Sequence, residues 1–158
     1  MEKKYLVYLD NCCYSRPYDV QSTTRIVRET RAKLMIQTLI EAQELGLVSS
    51  YISIYECGMD KDQYKAANIM DFIDRNTKFF IPETYRDRIN SEAESLESLN
   101  IKHFDACHVV AASIVDVDYF ITVDDRLMRR YKTENLESKF GFKMMKPDDF
   151  ILELQKWN

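Results

Sequence analysis

Four acidic residues, Asp10, Glu56, Asp105 and Asp124, stand at the ends of apolar runs or in the opening turn of one. An ionised carboxylate is costly to bury, so each of them needs a compensating partner. For a single such Asp a helix cap is explanation enough, because Asp is a preferred N-cap, and Asp105 and Asp124 both precede helical patterns. Four acids gathered at one edge of a sheet would repel one another strongly, and a hard divalent cation with oxygen ligands relieves that repulsion. The ion expected is Mg²⁺ or Mn²⁺. It can polarise a phosphoryl oxygen, activate an attacking water and stabilise a leaving oxyanion, while a nearby carboxylate serves as general base. Mg²⁺ keeps several waters and takes only one or two carboxylates directly, so some of the four acids act through water.

Strands alternating with helices must bring these acids together. Lys3 to Leu9 is a nearly unbroken apolar run, as expected of a strand buried on both faces, and it ends at Asp10. Asn11 to Ser22 reads as a loop, with Ser22 or Thr23 capping a helix that runs to about Leu45, carries Met35, Leu39 and Ala42 on one side and ends at Gly46. Leu47 to Ile54 reads as a second strand, followed by Glu56 where the chain turns into another helix. Helical stretches over Lys61 to Arg75 and Glu83 to Leu99 are separated by Phe79-Phe80-Ile81 and Pro82. Residues 104 to 115, almost wholly apolar, form an interior helix with Asp105 in its first turn. Tyr119 to Val123 is a further buried strand that ends at Asp124, before a short basic helix; a last strand near Phe142 to Met145 and a helix from Pro147 follow.

Parallel crossovers of this kind imply an α/β fold, with a mostly parallel central sheet between helical layers. Ligands in such sheets bind beyond the carboxyl ends of the strands, where Asp10, Glu56 and Asp124 are expected and Asp105 can join them. The chain has 158 residues, 46% of them hydrophobic, enough for one domain with a substantial core. Only three Gly and three Pro argue against a sandwich of many short strands. No stretch approaches the ~20 apolar residues a bilayer requires, so no membrane partner and a cytoplasmic location are expected. The four cysteines form neither a dense disulfide framework nor the paired spacing of a structural zinc site, and reduced thiols are the default. His103, Cys107 and His108 bracket Asp105 without a second cluster to complete a transition-metal site, and His108 reads as a hydrogen-bonded interior residue.

The net charge of −4 lacks the basic excess common in nucleic-acid binders, so a local basic surface must supply phosphate contacts. Arg126, Arg129 and Arg130 follow Asp124, and Arg16 stands with Tyr14 and Tyr18 after Asp10; these could meet a backbone or a base. Arg25, Arg28 and Arg31, spaced by three, fit either a phosphate-binding stripe or a solvated face with local ion pairs.

The arrangement resembles the PIN-domain metal-dependent nucleases, which include VapC-type toxins of toxin–antitoxin systems. The resemblance spans nearly the whole chain and rests on YLVYLDNCC ending its strand at Asp10, YISIYECGM running into Glu56, FDACHVVAAS opening with Asp105, DYFITVDDRLM with Thr-x-Asp at 122 to 124, and the tail KMMKPDDFI. It implies one PIN-like domain over residues 1–158, a three-layer α/β/α fold. It also implies a Mg²⁺- or Mn²⁺-dependent ribonuclease whose catalytic and metal-binding residues are Asp10, Glu56, Asp105 and Asp124. Asn11 and Thr122 would hydrogen-bond a ligand or phosphate from behind them. Asp125 could substitute for Asp124, although the Thr-x-Asp spacing favours 124. The substrate implied is RNA, the protein partner an antitoxin, and the assembly a homodimer. Asn11-Cys12-Cys13 departs from the family, many of whose members carry Thr or Ser after the first Asp. Two rival functions remain: a PIN-like module that binds nucleic acid or scaffolds without catalysis, and a phosphotransferase with Asp10 as covalent nucleophile, whose expected DxD pattern is missing.

Overall fold

The computed structural model describes residues 4–156. Five strands form one sheet: β1 (Leu6–Leu9), β2 (Gly46–Ser50), β3 (Thr77–Ile81), β4 (Tyr119–Ile121) and β5 (Lys143–Met145). Their order is β3-β2-β1-β4-β5 and every pairing is parallel, so the sheet is wholly rather than mostly parallel. The chain builds outward from β1 through β2 to β3, then returns to the other side of β1 for β4 and β5. This reversal makes the carboxyl ends of β1 and β4 a topological switch point, where α/β sheets leave a crevice.

Each strand faces two ways. Tyr8, Val48, Phe120 and Met144 pack into one core with Ile89, Ala93, Val109 and Phe142. Val7, Leu9, Leu47, Tyr119 and Ile121 pack into a second core with Ile36, Ile73 and Phe150 on the opposite face. Side chains alternate across a strand, so a strand apolar at every position must be covered on both faces. The covering helices are α1 (Asn11–Ser15), α2 (Thr24–Glu41), α3 (Tyr51–Gly58), α4 (Gln63–Asn76), α5 (Arg86–Glu97), α6 (His103–Ile114), α7 (Asp125–Thr133), α8 (Leu136–Phe140) and α9 (Pro147–Gln155).

Several expectations are corrected. Asn11 to Ser22 is not a loop throughout. Asn11–Ser15 is helical, because burying Cys13 (0% exposed) and Tyr14 (1%) folds the segment back on the sheet, and a 3₁₀ turn follows at Arg16–Tyr18. Thr23 does cap α2, its hydroxyl accepting from Ile26 N at 3.1 Å. That helix ends at Glu41, not near Leu45, since Gln43 turns the chain at φ 61°; Gly46 opens β2 instead of ending the helix. A Cβ on Gly46 would stand 2.7 Å from Leu6 Cδ2, so a larger residue there would have to displace the Leu6 side chain. The buried face of α2 is Glu29, Ala32, Lys33, Ile36 and Ile40, while Met35 is half exposed. The second strand stops at Ser50, where the Ser50 hydroxyl caps α3, so Glu56 lies inside that helix and not at its start. Phe79-Phe80-Ile81 belongs to an edge strand, and α8 adds a helix that was not expected. Lys3, the expected start of the first strand, lies outside the described residues.

Candidate active site

Asp10 ends β1 and caps α1. Its backbone N donates to Ile121 O (2.9 Å), which carries the β1–β4 pairing one residue further and sets Asp10 beside Thr122. Asp10 Oδ1 accepts from Asn11 N (2.8 Å), and Oδ2 accepts from Thr122 Oγ1 (2.9 Å) and, more weakly, from Cys12 Sγ (3.4 Å). Thr122 in turn accepts from Asp124 N at 3.0 Å, so one hydroxyl joins the ends of both central strands. Asp124 caps α7, its Oδ1 accepting from Arg126 N (2.9 Å) and Leu127 N (3.1 Å). Asp10 and Asp124 are therefore both helix caps at the carboxyl ends of the two central strands.

Asp105 enters from the first turn of α6 and is partly buried. Its carboxyl is pushed up to about 7, first by burial and then by the charges of Asp10 and Asp124, with Glu56 adding to them and His108 opposing. Asp10, 4% exposed, is likewise raised by burial, against the opposing pull of His108 and the Thr122 hydroxyl. Asp105 thus stands within electrostatic reach of Asp10, Asp124 and Glu56 at the switch point of the sheet.

Glu56 reaches the group from the second turn of α3, where it meets His108 Nε2. His108 is wholly buried on α6, and its Nδ1 meets the hydroxyl of Tyr8, which lies 2.7 Å from Ser50 Oγ. With neutral imidazole the donors run in one direction: Ser50 O–H to Tyr8, Tyr8 O–H to His108 Nδ1, His108 Nε2–H to Glu56. Burial works against charge on the imidazole, but Glu56 and Asp10 outweigh it and raise His108 overall. The interior role expected for His108 holds, and the partners are new. One sequence signal pointed to them: Tyr8 is two residues before Asp10 and His108 three after Asp105, each on its acid's own face of a strand or helix.

The remaining candidates divide. Asn11 Nδ2 donates to Ser53 O at 3.0 Å, while its Oδ1 is buried without a hydrogen-bond partner among the described residues, beside a cavity of about 270 Å³ that Glu56 also lines. Asp125 turns away from the acids to Lys146 (2.6 Å) and Arg25 (2.7 Å), which hold its carboxyl below the usual range. Arg16 is engaged by Glu29 (2.7 Å) and Asp19 (3.0 Å), and Arg28 pairs with Asp148, so that side of α2 carries local ion pairs. Tyr14 is packed. Arg126 and Arg129 are exposed, and Arg126 shares a shallow crevice with Asp105, Lys102 and Arg130.

Among the described residues no three His, Cys, Asp or Glu side chains form a ready-made metal cage. The donor set nevertheless fits Mg²⁺ or Mn²⁺: it consists of carboxylate oxygens and the unpartnered amide oxygen of Asn11, and such ions accept a few direct oxygens with water completing the shell. The thiol of Cys12 is pushed well up by Cys13, burial and Asp10, so it stays protonated and offers no thiolate.

No protein-family model matches the chain, and no curated protein matches it. Among solved structures it is similar to FitAcB from Neisseria gonorrhoeae, at 16% identity over 89% of this chain and 97% of that one, with a TM-score of 0.48. It is also similar to FitAB bound to an IR36 DNA fragment, at 15% identity over 89% of this chain and 94% of that one, with a TM-score of 0.51. The fold is PIN-like, a parallel α/β sheet between two helical layers.

Proposed function

We propose that this protein is a Mg²⁺- or Mn²⁺-dependent endoribonuclease, acting in the cytoplasm through Asp10, Glu56, Asp105 and Asp124. The observation that carries the reading is a buried carboxylate, Asp10, facing other carboxylates with no Lys or Arg ion pair among the described residues. A fold gains nothing from such repulsion unless a cation is to enter. Asp10 and Asp124 would hold the ion, with Glu56, Asp105 and Asn11 Oδ1 reaching it directly or through water. When bound, the metal supplies Lewis acidity and charge neutralisation at a phosphoryl group.

The chain's own residues would do the rest. Thr122 fixes Asp10 and the start of α7 in register. His108 orients Glu56, and Asp105, in the first turn of α6, would be placed to take a proton from the attacking water. Arg126 and Arg129 would meet the backbone of the strand being cut. The preference for RNA, the toxin role, the antitoxin partner and a homodimer rest on the resemblance of the sequence motifs.

The test is cleavage of labelled single-stranded and structured RNAs by wild type and Asp10→Asn with Mn²⁺, Mg²⁺ or EDTA. Cutting that needs metal and disappears in the variant is expected. Equal cutting by both proteins refutes the site, and no cutting by either favours a binding module.

A further inference from the structure

On the same helices that carry Glu56 and Asp105, α3 and α6, and together with α5, a cavity of about 290 Å³ is lined by residues that include Tyr51, Tyr55, Arg86, Asn90, His103 and Phe104. It is continuous in sequence with the acidic site: Tyr55 immediately precedes Glu56, and Phe104 immediately precedes Asp105. The two helices that deliver two of the acids therefore deliver, one residue earlier, two aromatic rings. Tyr55 is 56% exposed, and its ring centroid stands 5.8 Å from that of Phe104 at a 41° tilt. The rings form an open, angled wall and not a closed stack.

Charge completes the cavity. The Arg86 guanidinium lies over the Tyr51 ring, 5.7 Å from its centroid, and is held otherwise by Glu83 in a pair exposed on both sides. Exposed pairs of that kind are weak and readily exchanged for a phosphate. Asn90 supplies a carboxamide, whose oxygen accepts from the Cys107 thiol at 3.7 Å. A covalent role is excluded for that thiol: His103 Nε2 is 3.6 Å away, but burial pushes Cys107 up to about 11, too high to form a thiolate near neutral pH.

An aromatic wall, one exposed cation and one carboxamide, on helices that also carry two of the acids, match the chemistry of an unpaired nucleotide. We propose that the cavity is a nucleobase subsite, in which an unpaired base of single-stranded RNA close to the scissile phosphate stacks on Tyr55 and Phe104 while Arg86 takes a neighbouring phosphate. The assignment deepens the nuclease reading and rests on it for the polymer's identity. It makes the enzyme selective for unpaired RNA, since a base held in a duplex cannot enter.

The test is fluorescence anisotropy, in EDTA to prevent cutting and at low salt, with a labelled single-stranded RNA octamer and versions lacking one base at each position in turn. Wild type is expected to lose roughly tenfold in affinity when one particular base is missing. Tyr55→Ala is expected to lose roughly tenfold on the intact octamer and to become indifferent to that missing base, while Tyr55→Phe, which keeps the ring, behaves as wild type. Arg86→Ala weakens every octamer alike and lowers the salt dependence. The inference is overturned if wild type binds no octamer, if Tyr55→Ala binds as wild type does, or if it keeps the sensitivity to the missing base. It is overturned equally if Tyr55→Ala leaves RNA affinity unchanged and instead splits a dimer in sedimentation, which would make a second copy of the chain the occupant. Failure of the nuclease reading is seen separately: Asp10→Asn then cuts as wild type does, whatever the octamers show.

Discussion

Glu29 and Asp10 are buried almost equally, at 1% and 4% exposure. Glu29 accepts from Arg16 through both Nε (3.0 Å) and Nη2 (2.7 Å), and from Arg25 Nε at 3.3 Å. Among the described residues Asp10 receives its neighbour's backbone N–H, a hydroxyl and a thiol, and the charges of Glu56 and Asp105 stand near it. Asp125 and Asp124 repeat the contrast in adjacent residues: Lys146 and Arg25 claim the first, while the second adds its charge to Asp105. Carboxylates that brace α2 and the sheet are thus neutralised from within the chain. Those at the switch point have no Lys or Arg ion pair among the described residues.

The largest effect that probes this contrast is on activity. Asp10→Asn should lower cleavage by about 10³-fold. The same variant should gain about 1 kcal/mol in urea unfolding at neutral pH, because the amide still accepts from Thr122 and sheds a desolvated charge. Loss of activity together with loss of stability would break the comparison. Glu29→Gln should do the opposite, costing about 3 kcal/mol by leaving two arginines without their shared partner while cleavage stays near wild type.

A third outcome concerns pH. Asp105 titrates near 3.8 as an ordinary Asp and near 7 in the fold, so the native state binds the extra proton between those values. Where the native state holds more protons than the unfolded one, stability falls as pH rises. In EDTA the contribution of Asp105 should therefore be fully present below about pH 4 and lost by about pH 7. Asp105→Asn should flatten the decline, and Mg²⁺ should restore stability at the high end in wild type but not in Asp10→Asn. Thermal unfolding across that range checks both.

Smaller effects follow. Thr122→Val removes the hydroxyl joining Asp10 to Asp124 N, and should cost about 1 kcal/mol in unfolding and about tenfold in cleavage. Arg126→Ala and Arg129→Ala, on exposed side chains, should weaken RNA binding only about threefold each, with the difference vanishing at high salt. A larger loss that survives salt would mean that those arginines contact bases and not phosphates.

Much of this fold is legible in the chain because the two central strands, β1 and β4, are apolar at every position and lead into polar residues. β1 before Asp10, α6 opening near Asp105 and α9 at Pro147 are local patterns. β3 was hidden because three apolar residues after a polar stretch are too few to declare a strand; pairing with β2 makes it one. The short α1 was hidden because no periodicity shows in five residues, and the burial of Cys13 and Tyr14 decides it. Glu56 was expected at a strand end, but Ser50 caps α3 early and carries the acid into the second turn. The four acids were expected from types and spacing, and Tyr8 and His108 share a face with Asp10 and Asp105, but that Tyr8 and His108 meet was not visible in the sequence.

The succession of most strands and helices along the chain was therefore legible in the amino-acid sequence alone, since each depends on residues within a few positions of one another. Tertiary structure alone decided that Thr122 binds Asp10 across 112 residues, that Tyr8 meets His108 across 100, and that Arg25 claims Asp125 across another 100. Contacts at that separation follow from strand order, and strand order sets which buried carboxylate finds a cation and which is left facing its own kind.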